Sequence, residues 1–329
     1  MSKMTYAQAA CLALQEAMRA DANVVALGED LGRGGVFGQY RGLPQEFGPE
    51  RIIDTPISEA NIMGAAVGMA LAGLRPVVEM RVIDFALCAM DEIINQAAKN
   101  RYMFGGQGRM PLIARMPIGI WSASAAQHSQ SLETWFAHMP GLVVVTPATP
   151  QDNYGLLKSS LASGDPVVYM EHKELWGVEG EVTAGVEVPL GKANLLCEGS
   201  DLTIVTWSRG VGVALEALGS AGGASGPNVT NAFNGIKPEI IDLRTLWPWD
   251  RDAVFKSVAK TGRLLVVHEA VQVAGFGAEI AASAAEATGC KVRRLGAPRI
   301  PVGYAQVLEN EARLTPTYLV AAAEALLKQ

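Results

Sequence analysis

The fold is decided by a stretch that reads Asp54-Thr55-Pro56-Ile57-Ser58-Glu59 and continues as Ala60-Asn61-Ile62-Met63-Gly64-Ala65-Ala66-Val67-Gly68-Met69-Ala70-Leu71-Ala72-Gly73-Leu74. From Ala60 to Leu74 there is no Asp, Glu, Lys or Arg, which predicts a helix that is buried on most sides. Ser58 is a typical N-cap residue, so Glu59 falls in the first helical turn. Two interpretations of Glu59 follow. In the first, Glu59 only complements the helix dipole. In the second, it is a catalytic carboxylate at a helix N-terminus from which water is largely excluded.

The composition is that of a globular protein large enough for two domains. The chain has 329 residues, of which 49% are hydrophobic and 18% are charged. A net charge of −6 and scattered aromatic residues at 6% predict no nucleic-acid partner and no anionic membrane partner. The N-terminus lacks the pattern of a signal peptide, and the longest chargeless apolar run is too short to span a bilayer. We therefore expect a cytoplasmic protein.

Short apolar strands alternate with helical patterns in two blocks along the chain. Most of the strands are apolar throughout, which predicts parallel sheets covered on both faces. A Gly-, Glu- and Val-rich connection interrupts the alternation before it resumes near residue 200. The pattern predicts an α/β protein with two doubly wound domains, at residues 1–180 and 200–329, joined by a linker at 181–199.

Three candidate functional residues follow predicted parallel strands at their carboxyl ends, where such folds bind ligands. Glu59 begins a helix, Phe85 comes just after the strand at 77–80, and His128 lies in a long loop after the strand that ends near Met116. Each signal is weak alone, because a single Phe after a strand usually belongs to the core and most loop histidines are structural.

Other patterns give no site of their own. The four cysteines and four histidines lack the spacing of a metal site. The glycine-rich stretch at 31–38 fails the G-x-G-x-x-G spacing and lacks the Lys-Ser/Thr of a P-loop, so we interpret it as a mobile loop. A Rossmann-type NAD oxidoreductase is an alternative function that this missing fingerprint disfavours.

Five segments, spread over both predicted domains, carry a resemblance to a known family: residues 52–59, 73–76, 95–99, 125–130 and 242–246. They resemble the β subunit of the thiamine-diphosphate-dependent first component of 2-oxoacid dehydrogenase complexes, from near Thr5 to near Leu327. Residues 101–106 and 171–182 resemble in particular the acetoin dehydrogenase branch. The resemblance implies a transketolase-like pyrimidine-binding domain followed by a smaller transketolase C-terminal-like domain.

The resemblance also implies roles at the cofactor. Glu59 matches the carboxylate that shares a proton with the pyrimidine ring of thiamine diphosphate, and we expect desolvation to favour its protonated form. Phe85 matches the aromatic side chain against the pyrimidine face, and Ile57 belongs to the loop that presses on the cofactor. His128 matches a histidine that contacts substrate or the incoming lipoyl group. Glu29, in the turn Gly28-Glu29-Asp30, is a further candidate for the acidic surroundings of the site.

Two metal ions are implied by the resemblance. A potassium ion bound by backbone carbonyls would involve the matching positions Leu112, Ser160, Leu161, Ser163 and Asp165. The Gly-Asp-Gly segment with which the family holds Mg²⁺ and the diphosphate does not occur in this sequence. The resemblance therefore implies that an α subunit supplies that half of the site.

The implied assembly is an α2β2 heterotetramer docked to a dihydrolipoamide acyltransferase core. Its implied reaction is cleavage of a 2-oxoacid, of pyruvate or branched-chain type, or of acetoin, with transfer of the acyl group to lipoamide. A non-catalytic scaffold subunit is the alternative. Two departures from the family pattern, a longer segment at 221–234 and Arg299 within 295–304, lie in the second predicted domain and concern subunit or core docking.

Overall fold

The computed structural model describes residues 1–219 and 231–329, which form two compact units. The first unit comprises residues 1–118 and 135–190, and the second comprises 119–134 and 191–329. The change of unit at 190 falls inside the linker predicted at 181–199, but the assignment of 119–134 to the second unit was not expected. The limits 1–180 and 200–329 stay a prediction for the domains. The longer segment predicted at 221–234 lies outside the described residues except for 231–234.

The first unit contains a parallel sheet. Its strands are β1 (Ser2–Thr5), β2 (Val24–Gly28), β3 (Ile52–Asp54), β4 (Arg75–Glu79), β5 (Ile113–Ile118), β6 (Val143–Val145), β7 (Val167–His172) and β8 (Glu179–Val182). Within this unit, parallel pairing gives the order β6-β7-β5-β4-β2-β3, and β1 pairs with β8 in an antiparallel ribbon. The residues of β2, β5 and β7 are all buried, as expected for parallel strands covered on both faces.

The helices of this part of the chain are α1 (Tyr6–Ala20), α2 (Leu43–Phe47), α3 (Glu59–Leu71), α4 (Ala98–Met103), α5 (Glu133–Ala137) and α6 (Pro150–Ala162). α1 begins with a capping box, which the spacing of Thr5 and Gln8 in the sequence predicts, and in which Thr5 Oγ1 accepts from Gln8 N at 3.2 Å. The pattern at 84–102 predicts one helix, and this prediction is wrong. A 3-10 helix (Ile83–Ala89) and a π-helical turn (Glu92–Ala97) precede α4. No Gly or Pro in the sequence signals these changes of pitch.

The second unit is a smaller α/β sheet, as predicted. Its strands and helices are β9 (Asn194–Cys197), β10 (Leu202–Thr206), α7 (Arg209–Ala217), β11 (Pro238–Asp242), β12 (Thr245–Trp247), α8 (Arg251–Thr261), β13 (Arg263–Val271), α9 (Gly277–Thr288), β14 (Lys291–Ala297), α10 (Gln306–Ala312) and α11 (Pro316–Leu327). The sheet order is β14-β13-β10-β11-β9, with only β9 antiparallel. Strand order therefore reverses between β10 and β13, a switch point of the kind at which open α/β sheets bind ligands.

Each unit has its own apolar core. In the first, α1 packs against α6, with Leu14 and Leu157 fully buried. In the second, α7 and α11 pack together over the sheet, with Val213 and Leu319 fully buried. Among the described residues, no helix has both the length and the apolar character needed to cross a membrane.

Candidate active site

Glu59 is the first residue of α3 and is half-buried. Ser58 occupies the N-cap position as predicted, but its side chain makes no capping hydrogen bond within the described part of the chain. The prediction that the following helix is buried on most sides is wrong. One face is exposed and carries uncharged, mostly small residues: Asn61, Gly64, Ala65, Gly68, Leu71 and Ala72. A continuous exposed face without charge is typical of an interaction surface.

The loop before Glu59 is tied to the turn that carries Glu29. Thr55 N donates to the carbonyl of Gly28 at 3.0 Å, and Leu31 N donates to Asp54 Oδ1 at 3.0 Å. Because β2 and β3 are parallel neighbours, the turn after β2 and the loop after β3 lie at the same edge of the sheet. The hydrogen bonds fix the two segments relative to each other.

Two carboxylates interact at this edge. Burial raises the pKa of Glu29, and the nearby carboxylate of Glu59 raises it further. Arg81 acts on Glu29 in the opposite direction, and it forms an ion pair of 2.6 Å with Asp30. The structure thus places Glu29 within electrostatic reach of Glu59, and Glu29 holds a proton to higher pH than an ordinary glutamate does.

Two apolar side chains lie beside these acids without being buried. Ile57, in the loop before α3, is 78% exposed. Phe85 is half-buried in the 3-10 helix that follows β4 and packs against α3. Since β4, β2 and β3 are neighbours, one edge of the sheet gathers Glu29, Ile57, Glu59 and Phe85.

His128 lies in the second unit, whereas the boundaries predicted from sequence put it in the first. We call residues 119–134 the His128 segment. His128 itself is exposed, and a hydrogen bond of 3.0 Å from Gly119 N to the carbonyl of Gln130 closes the loop that contains it. The residues that bind this segment, such as Glu309, are up to 186 positions away in sequence. No local pattern reveals contacts at that separation.

A buried network that sequence analysis missed supports the same edge. Arg115 is fully buried and donates two hydrogen bonds of 2.8 Å to the Glu171 carboxylate, while Glu79 Oε2 lies 3.9 Å from Arg115 Nε. Glu79 accepts hydrogen bonds of 2.9 Å from Gln39 Nε2 and Tyr40 Oη. Burial raises the pKa of Glu79 to about 7, although Arg115 acts against this shift. A charged residue in each of the otherwise apolar strands β4, β5 and β7 was the sequence signal for this network.

The glycine-rich stretch at 31–38, interpreted from sequence as a mobile loop, is instead held in place. It begins with a 3-10 turn (Leu31–Arg33), and the ring of Phe37 stacks on Trp176 at 5.1 Å. Phe37 N donates to Gln39 Oε1 at 2.8 Å, which connects the stretch to Glu79. Gly28, at the start of the Glu29 turn, packs directly on β4, since a Cβ there would lie 2.5 Å from the Glu79 carbonyl oxygen.

The positions predicted to bind potassium surround the turn between α6 and β7. Ser160 and Leu161 end α6, Ser163 is its C-cap, Asp165 precedes β7, and Leu112 precedes β5. Carbonyls at a helix C-terminus favour a cation. Three of them already accept hydrogen bonds: Ser160 from Ser163 N at 3.1 Å, Leu112 from Val167 N at 2.9 Å and Asp165 from Ser163 Oγ at 3.5 Å. In the residues described here, no group of three His, Cys, Asp or Glu side chains could hold a metal.

Comparison with known proteins gives the family. The model of the transketolase pyrimidine-binding domain matches residues 2–178, and that of the transketolase C-terminal domain matches 191–319. The β subunit of acetoin:2,6-dichlorophenolindophenol oxidoreductase from Cupriavidus necator is 41% identical over 96% of this chain and 95% of its own length. This chain belongs to the β subunits of the 2-oxoacid dehydrogenase family. The resemblance seen in the sequence is confirmed.

Other members of this β-subunit family are equally similar. The 2-oxoisovalerate dehydrogenase β subunit of Bacillus subtilis is 39% identical over 98% of both chains. The pyruvate dehydrogenase E1 β subunit of Rickettsia bellii is 42% identical over 91% of both chains. A split-gene transketolase, described as an inactive β4 tetramer, superposes with a TM-score of 0.79 at 22% identity and covers 99% of this chain and 98% of its own. That last likeness shows the fold alone, and it agrees with the predicted α/β architecture.

Proposed function

We propose that this chain is the β subunit of a thiamine-diphosphate-dependent 2-oxoacid or acetoin dehydrogenase that works with an α subunit. The observation that carries the proposal is the gathering of Glu29, Ile57, Glu59 and Phe85 at one sheet edge. The assembly cleaves a carbon–carbon bond next to a carbonyl and passes the acyl group to lipoamide of a dihydrolipoamide acyltransferase core. The matches to transketolase-type domains do not support the NAD oxidoreductase alternative.

The side chains at this edge fit the aminopyrimidine ring of thiamine diphosphate. A flat ring with polar nitrogens suits an aromatic side chain, an aliphatic one and a carboxylate, which Phe85, Ile57 and Glu59 provide. When bound, the cofactor supplies the electron sink for cleavage of the bond beside the carbonyl. Glu59 would hold the proton that it shares with the pyrimidine ring nitrogen. Glu29 has a raised pKa, so it takes up a proton beside Glu59 more readily than an ordinary glutamate would.

The exposed face of α3 supports an α subunit as the partner. A Cβ built on Gly68 meets no described atom within 4 Å, so the packing of this chain does not require glycine there. A partner backbone that approaches closely would require it. In this proposal the α subunit covers the uncharged face and Ile57, and it brings Mg²⁺ and the diphosphate-binding half, giving a cytoplasmic α2β2 assembly. A potassium ion at the end of α6 belongs to the same proposal.

His128 contributes the second chemical function in this proposal. An exposed imidazole can donate or accept a hydrogen bond near neutral pH, which suits contact with substrate or with the incoming lipoyl group. The substrate is a 2-oxoacid or acetoin, since relatives named for all three substrate types are 39–42% identical to this chain. The acetoin-like segment 171–182 serves the internal structure through Glu171 and Trp176. The similarity of this segment to acetoin dehydrogenases is therefore weak evidence that acetoin is the substrate.

The test is co-expression with the α-type chain and assay of dye reduction with pyruvate, branched-chain 2-oxoacids and acetoin in parallel. We expect turnover to need both chains and thiamine diphosphate, and Glu59→Gln to lower it by about 100-fold or more. The control is Glu286→Gln, which changes an exposed acid on α9. If the Glu59 variant keeps its activity while bound to the α subunit, the scaffold interpretation is right and Glu59 is only a helix-dipole residue.

A further inference from the structure

The His128 segment (119–134) is bound at the switch point of the second unit. Its anchors lie at the carboxyl ends of β10 and β13, the two neighbouring strands between which the strand order reverses. Ile120 N donates to Glu269 Oε1, on β13, at 2.9 Å. Trp207, directly after β10, donates from Nε1 to Glu133 Oε1 at 3.1 Å. At the place where open α/β sheets usually hold a ligand, the unit holds a segment of its own chain.

A third anchor lies close to His128 in sequence. Ala123 N donates to Glu309 Oε2, on α10, at 2.6 Å. Glu309 is fully buried, and its other oxygen accepts hydrogen bonds from Arg313 and Gln306 at 2.6 Å and 3.1 Å. The two oxygens of Glu309 therefore accept hydrogen bonds from different parts of the chain. Oε1 is fixed by residues around α10, and Oε2 is aimed at the His128 segment.

The backbone that Glu309 binds is strained. Ser122, Ala123 and Ala125 have φ values of 25°, 55° and 57°, in the region that non-glycine residues rarely adopt. His128 N donates to the carbonyl of Ala125 at 3.4 Å, so the strained turn leads directly into the histidine. Strained residues persist only where surrounding contacts impose the conformation, and they concentrate at functional sites. Here the hydrogen bond to Glu309 is one contact that imposes it.

Trp207 is itself held firmly. Its indole stacks on the His268 ring with centroids 5.2 Å apart, and Phe276 makes an edge contact at 6.3 Å. A Cβ on Gly277 would lie 2.8 Å from His268 Nε2, so glycine allows the close packing behind the indole. The anchor at Glu133 therefore starts from a rigid base.

We propose that Glu309 and Glu269 are positioning residues that hold the His128 segment in the conformation in which His128 acts. The inference rests on the role of His128 in the proposed function. It also assigns a function to the second unit, because the three anchors described above are made by residues of that unit. Neither glutamate needs to touch substrate or cofactor.

Glu309→Gln is a sharp probe because a glutamine has one acceptor oxygen where the glutamate has two. Its amide nitrogen must face either Ala123 N–H or the Arg313 guanidinium. Either way two hydrogen-bond donors face each other, so one of the two hydrogen bonds is lost. Glu269→Ala removes the acceptor of the neighbouring anchor and leaves Arg313 untouched, so it remains informative if the Glu309 variant does not assemble. Glu311→Gln is the matched control, since Glu311 lies on the same helix and is exposed.

The experiment is a double-mutant cycle with His128→Ala in the assembled α and β subunits. Dye reduction and acyl transfer to a lipoylated domain are measured separately. We expect Glu309→Gln to lower, by about tenfold, the same step that His128→Ala impairs, and to change it less than about twofold when His128 is already alanine. A similar loss in both backgrounds would overturn the inference, because Glu309 would then act independently of His128.

Hydrogen exchange of the segment gives a readout besides activity. We expect peptides within 119–130 to lose protection in Glu309→Gln and to keep it in Glu311→Gln, with unchanged assembly in both. Unchanged exchange in both glutamate variants would contradict the positioning role. If His128→Ala keeps full activity in both steps, the role of His128 in the proposed function fails instead. The two failures are distinguishable. If His128→Ala is impaired and Glu309→Gln lowers activity equally in both backgrounds, only the positioning role fails.

Discussion

Replacing Glu79 by Gln should change how the stability of the chain depends on pH. Glu79 is buried in the network of Gln39, Tyr40, Arg115 and Glu171. Burial raises its pKa from 4.5 to about 7, so between these values the folded chain keeps a proton that the unfolded chain has released. The free energy of unfolding must therefore fall as pH rises through this range, and the contribution of Glu79 to that fall is about 3 kcal/mol.

The assay is urea-induced unfolding of the purified chain and of Glu79→Gln at several values between pH 5 and pH 8, at one protein concentration. At pH 5 Glu79 is still mostly protonated in the folded chain, so its contribution to the stability of the wild type is present. By pH 8 the wild type has lost its contribution from Glu79, whereas glutamine does not titrate. The stability difference between the two proteins should thus shift by about 3 kcal/mol in favour of the variant.

A difference that stays constant over this pH range would refute the reasoning, because it would show that Glu79 does not titrate differently in the folded and unfolded chains. Glu46 provides a control of opposite sign. A hydrogen bond from Arg19 lowers the pKa of this exposed acid, so its contribution is present above its unfolded pKa and is lost as pH falls. Glu46→Gln should therefore leave the fall between pH 5 and pH 8 in place.

Three further predictions concern the partner face, the packing behind Trp207 and the potassium positions. Gly68→Leu should not lower the unfolding midpoint of the chain, because Gly68 is exposed and a Cβ there meets no described atom within 4 Å. It should weaken co-purification with the α subunit by about tenfold or more. Ala282→Leu, at an exposed position of α9, should not weaken it. Gly277→Ala should destabilise the chain by about 1–3 kcal/mol in urea unfolding, because its Cβ would lie 2.8 Å from the His268 ring, and His268→Ala should relieve most of that loss. If the carbonyls at the end of α6 bind potassium, the thermal midpoint should rise in KCl relative to NaCl at equal ionic strength, and it should saturate with concentration. Equal midpoints in the two salts would remove the potassium proposal.

The architecture was predictable because its signals are local. Buried parallel strands appear as unbroken apolar runs, so the positions of β2, β4, β5, β7 and β10 follow from the sequence. The capping box at Thr5 and the placement of Glu59 at a helix start depend on residues within one turn of each other. Local signals place Glu29, Ile57, Glu59 and Phe85 after strands, whereas their gathering at one edge also depends on the strand order, which the structure gives. The strands β2, β3 and β4 that precede these residues are parallel neighbours.

The allocation of His128 to the second unit could not be predicted in the same way. It depends on hydrogen bonds such as those of Ile120 with Glu269 and Ala123 with Glu309, which join residues 149 and 186 positions apart. A loop between two predicted elements of one domain is assigned to that domain by default. The charged residues of the Glu79, Arg115 and Glu171 network were visible in their strands, but which of them pair depends on the strand order.

The exposed face of α3 could not be predicted from the sequence pattern. Absence of charge indicates that a helix is buried. It does not show whether the residues that bury it belong to the same chain or to a partner. In this structure Ile62, Met63, Ala66 and Ala70 are buried within the chain, while the opposite face with Gly64 and Gly68 is exposed. A helix that is uncharged on both faces but covered by its own chain on only one is expected where a partner subunit covers the other face. The same argument accounts for the 78% exposure of Ile57 under the proposed function, in which the α subunit covers this side chain.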